Sequence, residues 1–190
     1  MRGEGAVAAG EARRAPRLPP GYLRPGVVGQ STHHLQEDSM ATTKDAIALL
    51  RADHKAVDAL FKDYEGARRA TQKQAIVKEI CTQLTVHARI EEEIFYPIVQ
   101  QALKDKELVP EARVEHESLK ALIAQLEDAT PDGEDYEARV QVLGEYVKHH
   151  VKEEQNELFP KVKATKLDLV ALGEQLAQRK EELLEALQAA

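Results

Sequence analysis

The chain has 190 residues, with 33 acidic and 26 basic side chains and a formal net charge of −7. The acidic excess argues against a nucleic-acid binder that works by neutralising phosphates. A single cysteine, Cys81, excludes an internal disulfide and a cysteine-rich zinc site. No apolar stretch approaches the ~20 residues that span a membrane. The seven histidines are therefore the residues that carry most information about function.

Residues 1–40 differ in composition from the rest of the chain. They hold six of the ten glycines and four of the eight prolines, and they show neither helical nor strand periodicity. We therefore expect a disordered N-terminal tail in which His33 and His34 are solvated. Met40 opens a sequence typical of a translation start, so our hypothesis is that the preceding residues are an over-long gene prediction. The tail has no apolar segment of signal-peptide length, so we expect a cytoplasmic protein.

After the tail, apolar residues recur at steps of three and four, which predicts helices. We expect Thr42 or Thr43 to cap the first helix. A second helix is predicted from about residue 71 to residue 103. Pro97 lies inside this pattern, so we expect it to kink or locally open the second helix.

Three more helices follow. The third begins near Pro110, which suits a first-turn position, and the fourth follows the turn at residues 130–133. Asp168 can cap a fifth helix that packs on the outside or on another chain. The predicted fold is all-α: an antiparallel up-down four-helix bundle at residues 41–165, followed by an additional C-terminal helix at residues 166–190.

The sequence contains two similar helical hairpins. His54 and His116 lie 62 positions apart, and His87 and His150 lie 63 positions apart, in matching surroundings. Each of the four bundle helices thus points one histidine at the core. The second and fourth helices add a glutamate one turn later, on the same face. The candidate metal ligands are His54, His87, Glu91, His116, His150 and Glu154.

A single histidine on an apolar helix face is most often a core residue bonded to a backbone carbonyl. Two glutamates that face a core are harder to explain, because an unpaired buried carboxylate costs several kcal/mol or becomes protonated. Six such residues at equivalent levels of a bundle therefore indicate a bound cation. Imidazole and carboxylate without thiolate favour non-haem iron or manganese, with zinc as a competitor.

Two other metal-binding patterns fit less well. Ferritin-like di-iron bundles use Glu-x-x-His, whereas this chain has His-x-x-x-Glu twice. The His-Glu-x-x-His pattern of zinc proteases is also missing, because Lys120 stands four residues after His116.

The six residues, together with the aromatic-proline steps Tyr96-Pro97 and Phe159-Pro160, resemble the hemerythrin-like, or HHE cation-binding, family. The resemblance covers roughly residues 43–163. It implies a four-helix bundle that holds a non-haem iron pair bridged by its two carboxylates, although a looser site with one iron fits as well. Oxygen-carrying members have a fifth histidine where this chain has Lys120. The resulting additional open iron position disfavours simple reversible oxygen carriage.

We expect the polar neighbours of the six residues to be peripheral. His149 lies about 100° off the ligand row and should be partly exposed. Tyr96 should pack at the end of the bundle, although a hydrogen bond to the site is an alternative. Asp53 and Glu115 could orient a ligand histidine, but an exposed helix face is the favoured prediction. The carboxylates expected on solvated faces are Asp53, Glu92, Glu93, Glu115 and Glu153.

Three functional hypotheses follow. The leading one is a cytoplasmic binding or sensing protein whose di-iron centre takes up oxygen, nitric oxide or peroxide. The first alternative is a di-iron enzyme that reduces peroxide or oxidises a substrate, and the second is an iron storage or sensing protein. The expected partners are this small ligand and either a redox partner or a second copy of the chain, with no nucleic acid and no membrane.

Overall fold

The computed structural model describes residues 45–131, 133 and 135–189. The predicted tail and its two histidines lie outside these residues. The described chain is helical throughout, without a β-strand. Its α-helices are α1 (Ala46–Gly66), α2 (Ala70–Ile90), α3 (Tyr96–Leu103), α4 (Leu108–Glu127), α5 (Tyr136–Glu153), α6 (Phe159–Lys163) and α7 (Leu169–Gln188).

Two π-helical turns, at Glu91–Phe95 and Glu154–Leu158, join α2 to α3 and α5 to α6 without a break. The long rods α1, α2–α3, α4 and α5–α6 are connected by short loops, as in an antiparallel bundle. The predicted four-helix bundle with an additional C-terminal helix is confirmed. Among residues 45–131 and 135–189, no helix combines the length and hydrophobicity needed to cross a bilayer.

Two of the helices begin at an aspartate that caps them. Asp45 precedes α1, and its carboxylate accepts a hydrogen bond from the backbone N–H of Ala48 at 2.7 Å. The predicted threonine cap is wrong because Asp45 lies next to the first turn and also places a negative charge at the positive end of the helix. The predicted cap at Asp168 is confirmed, since its carboxylate accepts from the N–H groups of Val170 and Ala171.

The π turns stand immediately before the two prolines. The N–H of Tyr96 bonds to the carbonyl of Glu91, and that of Phe159 bonds to the carbonyl of Glu154, each across five residues. A proline one position later has no N–H, and its ring displaces the carbonyl four residues back, so the helix widens here. The expected local opening at Pro97 is found, and each π turn begins at a core-facing glutamate.

The buried apolar residues form two clusters. One contains Phe95 and Phe159 near the π turns, and the other contains Phe61 and Leu143 at the opposite end of the bundle. On α1, α4 and α5–α6 the predicted ligands lie, along the chain, between the buried residues of these two clusters, and on α2–α3 they lie among the first residues of the first cluster. Helix α7 packs against α1 and α2, where three leucines join the first cluster: Leu172, Leu176 and Leu183.

Candidate metal centre

The structure brings all six predicted residues into one buried cluster. None is more than 7% exposed. The four imidazoles form two pairs, with His54 Nε2 3.0 Å from His87 Nε2 and His116 Nε2 3.1 Å from His150 Nε2. Each hairpin supplies one pair, so the two pairs reflect the repeat seen in the sequence.

The two glutamates lie between the imidazole pairs. Glu91 Oε2 is 3.2 Å from His87 Nε2 and 3.4 Å from His116 Nε2. Glu154 Oε2 is 3.2 Å from His54 Nε2 and 3.7 Å from His150 Nε2. Each carboxylate therefore reaches one imidazole of each pair, which is the arrangement needed to share two neighbouring cations.

Both carboxylates have a buried oxygen without a hydrogen-bond partner among the described residues, Oε1 of Glu91 and Oε2 of Glu154. Burial and the charge of Glu154 raise the pKa of Glu91. Burial also opposes ionisation of Glu154, but His150 and His54 hold its pKa at about 2. Two adjacent carboxylates with unpartnered oxygens are costly in a protein interior unless a cation neutralises them, so the donor set fits a metal.

The outer nitrogens of two imidazoles face carboxylates on the preceding helix of the same hairpin. Glu115 Oε2 lies 2.7 Å from His150 Nδ1, and Asp53 Oδ2 lies 3.5 Å from His87 Nδ1. The prediction of exposed positions for Asp53 and Glu115 is wrong, because each side chain lies in the groove between the two helices of its hairpin. Their matching positions in the two repeats were the signal for this role.

The other two imidazoles contact residues from the π turns. Glu92 Oε1 lies 3.0 Å from His116 Nδ1, and the side-chain amide of Gln155 lies 3.3 Å from His54 Nδ1. The predicted solvated position of Glu92 is therefore wrong, because the π turn directs it at the neighbouring helix. Lys120 donates to both oxygens of Glu92 at 2.5 and 2.6 Å.

These outer contacts fix the imidazole tautomers. A carboxylate can only accept, so Nδ1 of His116 and of His150 must be the donor. A neutral imidazole that donates through Nδ1 presents the lone pair of Nε2 to the interior, where a metal would bind. Burial and the neighbouring His150 also lower the pKa of His116 to about 4, which keeps that ring neutral at pH 7.

Helix α7 contributes to the same network. Lys180 Nζ lies 2.6 Å from Asp53 Oδ1, and Arg179 Nε lies 2.7 Å from Glu93. Burial opposes ionisation of Asp53, but its contacts with His87 and Lys180 lower its pKa. The sequence offered no signal for Lys180, which is 127 positions from Asp53.

Tyr96 lies inside the cluster. Its hydroxyl donates to Glu154 Oε1 at 3.0 Å and is 3.4 Å from both Glu91 Oε2 and His116 Nε2. The prediction of simple end packing is therefore incomplete. Burial and the two carboxylates raise the pKa of this phenol, so it keeps its proton. Its repeat counterpart Phe159 instead stacks on His54, so the two halves of the centre differ chemically.

A small cavity lies beside the imidazoles. It has room for about one water-sized molecule. Lys120 stands at its edge, and the apolar side chains on its wall include Val57, Leu84, Leu119, Ile123 and Val147. All four imidazoles of the cluster border it. The cavity is thus a small, mostly apolar space that all four histidines border.

Two further residues lie outside the cluster. His149 is exposed and does not join the buried imidazoles. Cys81 is a buried free thiol, and burial raises its pKa to about 11, so it is unreactive at neutral pH.

Comparisons with known proteins place the chain in a family. A curated relative from Nostoc sp., named DNA nickase, is 28% identical over 138 residues, which is 73% of this chain but only 38% of that protein. The crystal structure of a hemerythrin HHE cation-binding domain-containing protein from Mycobacterium kansasii matches with a TM-score of 0.66 and 24% identity, covering 75% of this chain and 89% of that one. The family model of the hemerythrin HHE cation-binding domain matches residues 45–162. The chain therefore belongs to the hemerythrin HHE cation-binding domain family.

Proposed function

We propose that the cluster binds two iron ions and that the protein uses them to bind or sense oxygen, nitric oxide or peroxide. Each imidazole pair would hold one ion, and Glu91 and Glu154 would be shared between the two. Nitrogen and oxygen ligands without sulfur suit iron, and also manganese or zinc. When bound, iron would supply a redox-active position for a small ligand beside the histidines.

The observation that carries this proposal is the small apolar cavity beside the four imidazoles. A space for one water-sized molecule admits a diatomic ligand or a peroxide but not an organic substrate. Most of its wall is apolar, which suits neutral gases and hydrogen peroxide.

The surrounding residues would orient the ligands and control protons. Glu115 and Glu92 keep their histidines in the tautomer that points Nε2 inward, while Asp53 and Gln155 occupy the equivalent places in the other half. DNA nicking is not part of the proposal, because the chain matches 38% of that relative and carries a net charge of −7.

A second candidate function, peroxide turnover, is favoured by Tyr96. Its phenol is a protonated donor within 3.4 Å of both carboxylates, and proton supply is a requirement for reducing peroxide. Phe159 shows that the equivalent position accepts a ring without a hydroxyl. Tyr96→Phe is therefore a conservative way to remove the proton donor alone.

The test combines metal analysis with spectroscopy on the purified full-length chain. We expect about two irons per chain and a change in the visible spectrum on adding oxygen, nitric oxide or peroxide. A reversible change that survives Tyr96→Phe supports ligand binding as the function. Peroxide consumption that Tyr96→Phe reduces at least tenfold supports turnover. An iron-loaded protein whose spectrum responds to none of the three ligands contradicts both and leaves iron storage or sensing.

Metal uptake is expected to release protons. Burial alone would lower the pKa of His87, but the charge of Glu91 and the contacts with Asp53 and Glu91 raise it to about 10. The metal-free ring is therefore protonated at pH 7, whereas a ligating imidazole must be neutral. Adding metal at pH 7 in weak buffer with a pH indicator should release at least one proton per chain, and affinity should rise with pH up to about 10. Uptake without proton release would contradict this prediction.

A further inference from the structure

The repeat places two equivalent faces on opposite hairpins, and α7 covers only one of them. Val86 and Ile90 of α2 are buried in the apolar cluster to which α7 contributes its leucines. Their repeat counterparts on α5 are His149 and Glu153, which are exposed and half-buried respectively. The second hairpin thus has a histidine and a glutamate, both of residue types that can bind a metal, where the first hairpin has aliphatic side chains.

These two residues form a cluster with Glu115. His149 Nε2 lies 3.2 Å from Glu115 Oε1 and 3.2 Å from Glu153 Oε1. The three side chains can place one ligand atom each within 4.8 Å of one another. An imidazole and two carboxylates form a donor set that suits iron, manganese or zinc.

Glu115 connects this surface cluster to the buried centre. Its second oxygen is the one that accepts from His150 Nδ1 at 2.7 Å. A narrow cavity is lined by Glu115 and Glu153 of this cluster and by His150 and Glu154 of the buried centre, with Leu108, Ala112 and Leu158 as its apolar walls. Glu154 borders this cavity, and its buried Oε2 makes no hydrogen bond among the described residues, with His54 Nε2 as its nearest imidazole nitrogen at 3.2 Å. The cavity therefore ends at a carboxylate of the proposed metal centre.

The equivalent position on the first hairpin carries a positive charge. There Oδ1 of Asp53, the counterpart of Glu115, accepts a hydrogen bond from the ammonium group of Lys180 at 2.6 Å. A fixed positive charge at this position repels a divalent ion, and α7 covers the neighbouring surface. On the second hairpin, Oε1 of Glu115 instead faces the exposed imidazole of His149, which can bind a metal when neutral.

We propose that Glu115, His149 and Glu153 form a surface site for a divalent cation, through which metal is loaded into the buried centre. The proposal rests on metal binding by the buried cluster. The site captures a hydrated ion, and Glu115 then passes it along the cavity towards His150 and Glu154. Because this site only delivers metal, its loss slows the filling of the buried centre but does not change how much metal the centre finally holds.

Cobalt uptake by the metal-free full-length protein tests the proposal. Co²⁺ is mixed with the protein in a stopped-flow instrument, and the visible absorbance is followed as the buried cluster fills. The variant His149→Ala/Glu153→Gln alters the surface site but leaves Glu115 and the six buried residues intact. We expect filling to slow at least tenfold, with the same final number of cobalt ions in the buried centre and an unchanged helical spectrum by circular dichroism.

The control is Glu145→Gln, which removes a carboxylate one turn before His149. The Glu145 carboxylate accepts a hydrogen bond from Gln141, and among the described residues it forms no hydrogen bond or ion pair with the surface cluster or the buried centre. Its filling rate should stay within twofold of the wild-type rate. If the double variant and this control fill with cobalt at equal rates, whether fast or slow, the surface site is overturned. Equal rates would mean that only the long-range effect of charge acts on metal uptake. A wild-type protein that takes up no cobalt overturns the proposed function itself, and the loading site with it.

Discussion

The variant His87→Ala/Glu91→Gln is expected to lose metal binding almost completely. It removes an imidazole of one pair and the charge of a carboxylate that contacts both pairs. Replacing residues that only orient metal ligands lowers affinity by about 10- to 100-fold, so loss of two direct ligands should exceed 100-fold. Metal per chain after equilibration, with circular dichroism as a check on folding, measures this effect.

The chain provides a matched control for this variant. His149 and Glu153 have the same spacing on the equivalent helix but lie outside the buried cluster. His149→Ala/Glu153→Gln should therefore keep the wild-type amount of metal in the buried centre. Equal metal loss in both double variants would contradict the assignment of the buried residues as ligands.

Removing the metal with a chelator is expected to lower the Tm of the wild-type protein by about 10 °C. A ligand present at about 1,000 times its Kd stabilises the folded state by about 4 kcal/mol, and for a domain of ~150 residues each kcal/mol shifts the Tm by about 2–4 °C. Differential scanning calorimetry with and without chelator measures the shift. An unchanged Tm would mean that the centre holds no metal.

The variant His87→Ala/Glu91→Gln should have a Tm that does not respond to chelator, because it holds no metal that a chelator could remove. Calorimetry of the variant with and without chelator measures this. A chelator effect as large as that in the wild-type protein would mean that the stabilising metal is bound elsewhere.

The six clustered residues were predictable because they break a regular pattern. On each bundle helix the inward face is defined by apolar residues at steps of three and four, so a histidine or glutamate on that face is identified without knowing the tertiary structure. His54 between Leu50 and Val57 is an example. The repeat then placed the six residues at the same level of the bundle.

The surrounding network was not predictable in the same way. Glu92 follows Glu91 and looks like part of an exposed charged run, but the π turn directs it at His116. Lys180 reaches Asp53 only because α7 folds back over α1 and α2. Helix periodicity identifies which face of a helix is buried. It does not identify which neighbouring helix a flanking side chain meets, and the contacts of Glu92 and Lys180 depend on that neighbour.

The position of the glutamates has a consequence for the chain as a polymer. A cation held by both His54 and Glu154, whose side chains are 3.2 Å apart, joins two points separated by nearly the whole bundle sequence. Closing a loop of about 100 residues with a covalent bond restricts the unfolded chain by ~4.7 kcal/mol. With one cysteine the chain has no sulfur cross-link of its own. A bound metal would provide a cross-link in its place, one that forms and opens with the supply of that metal.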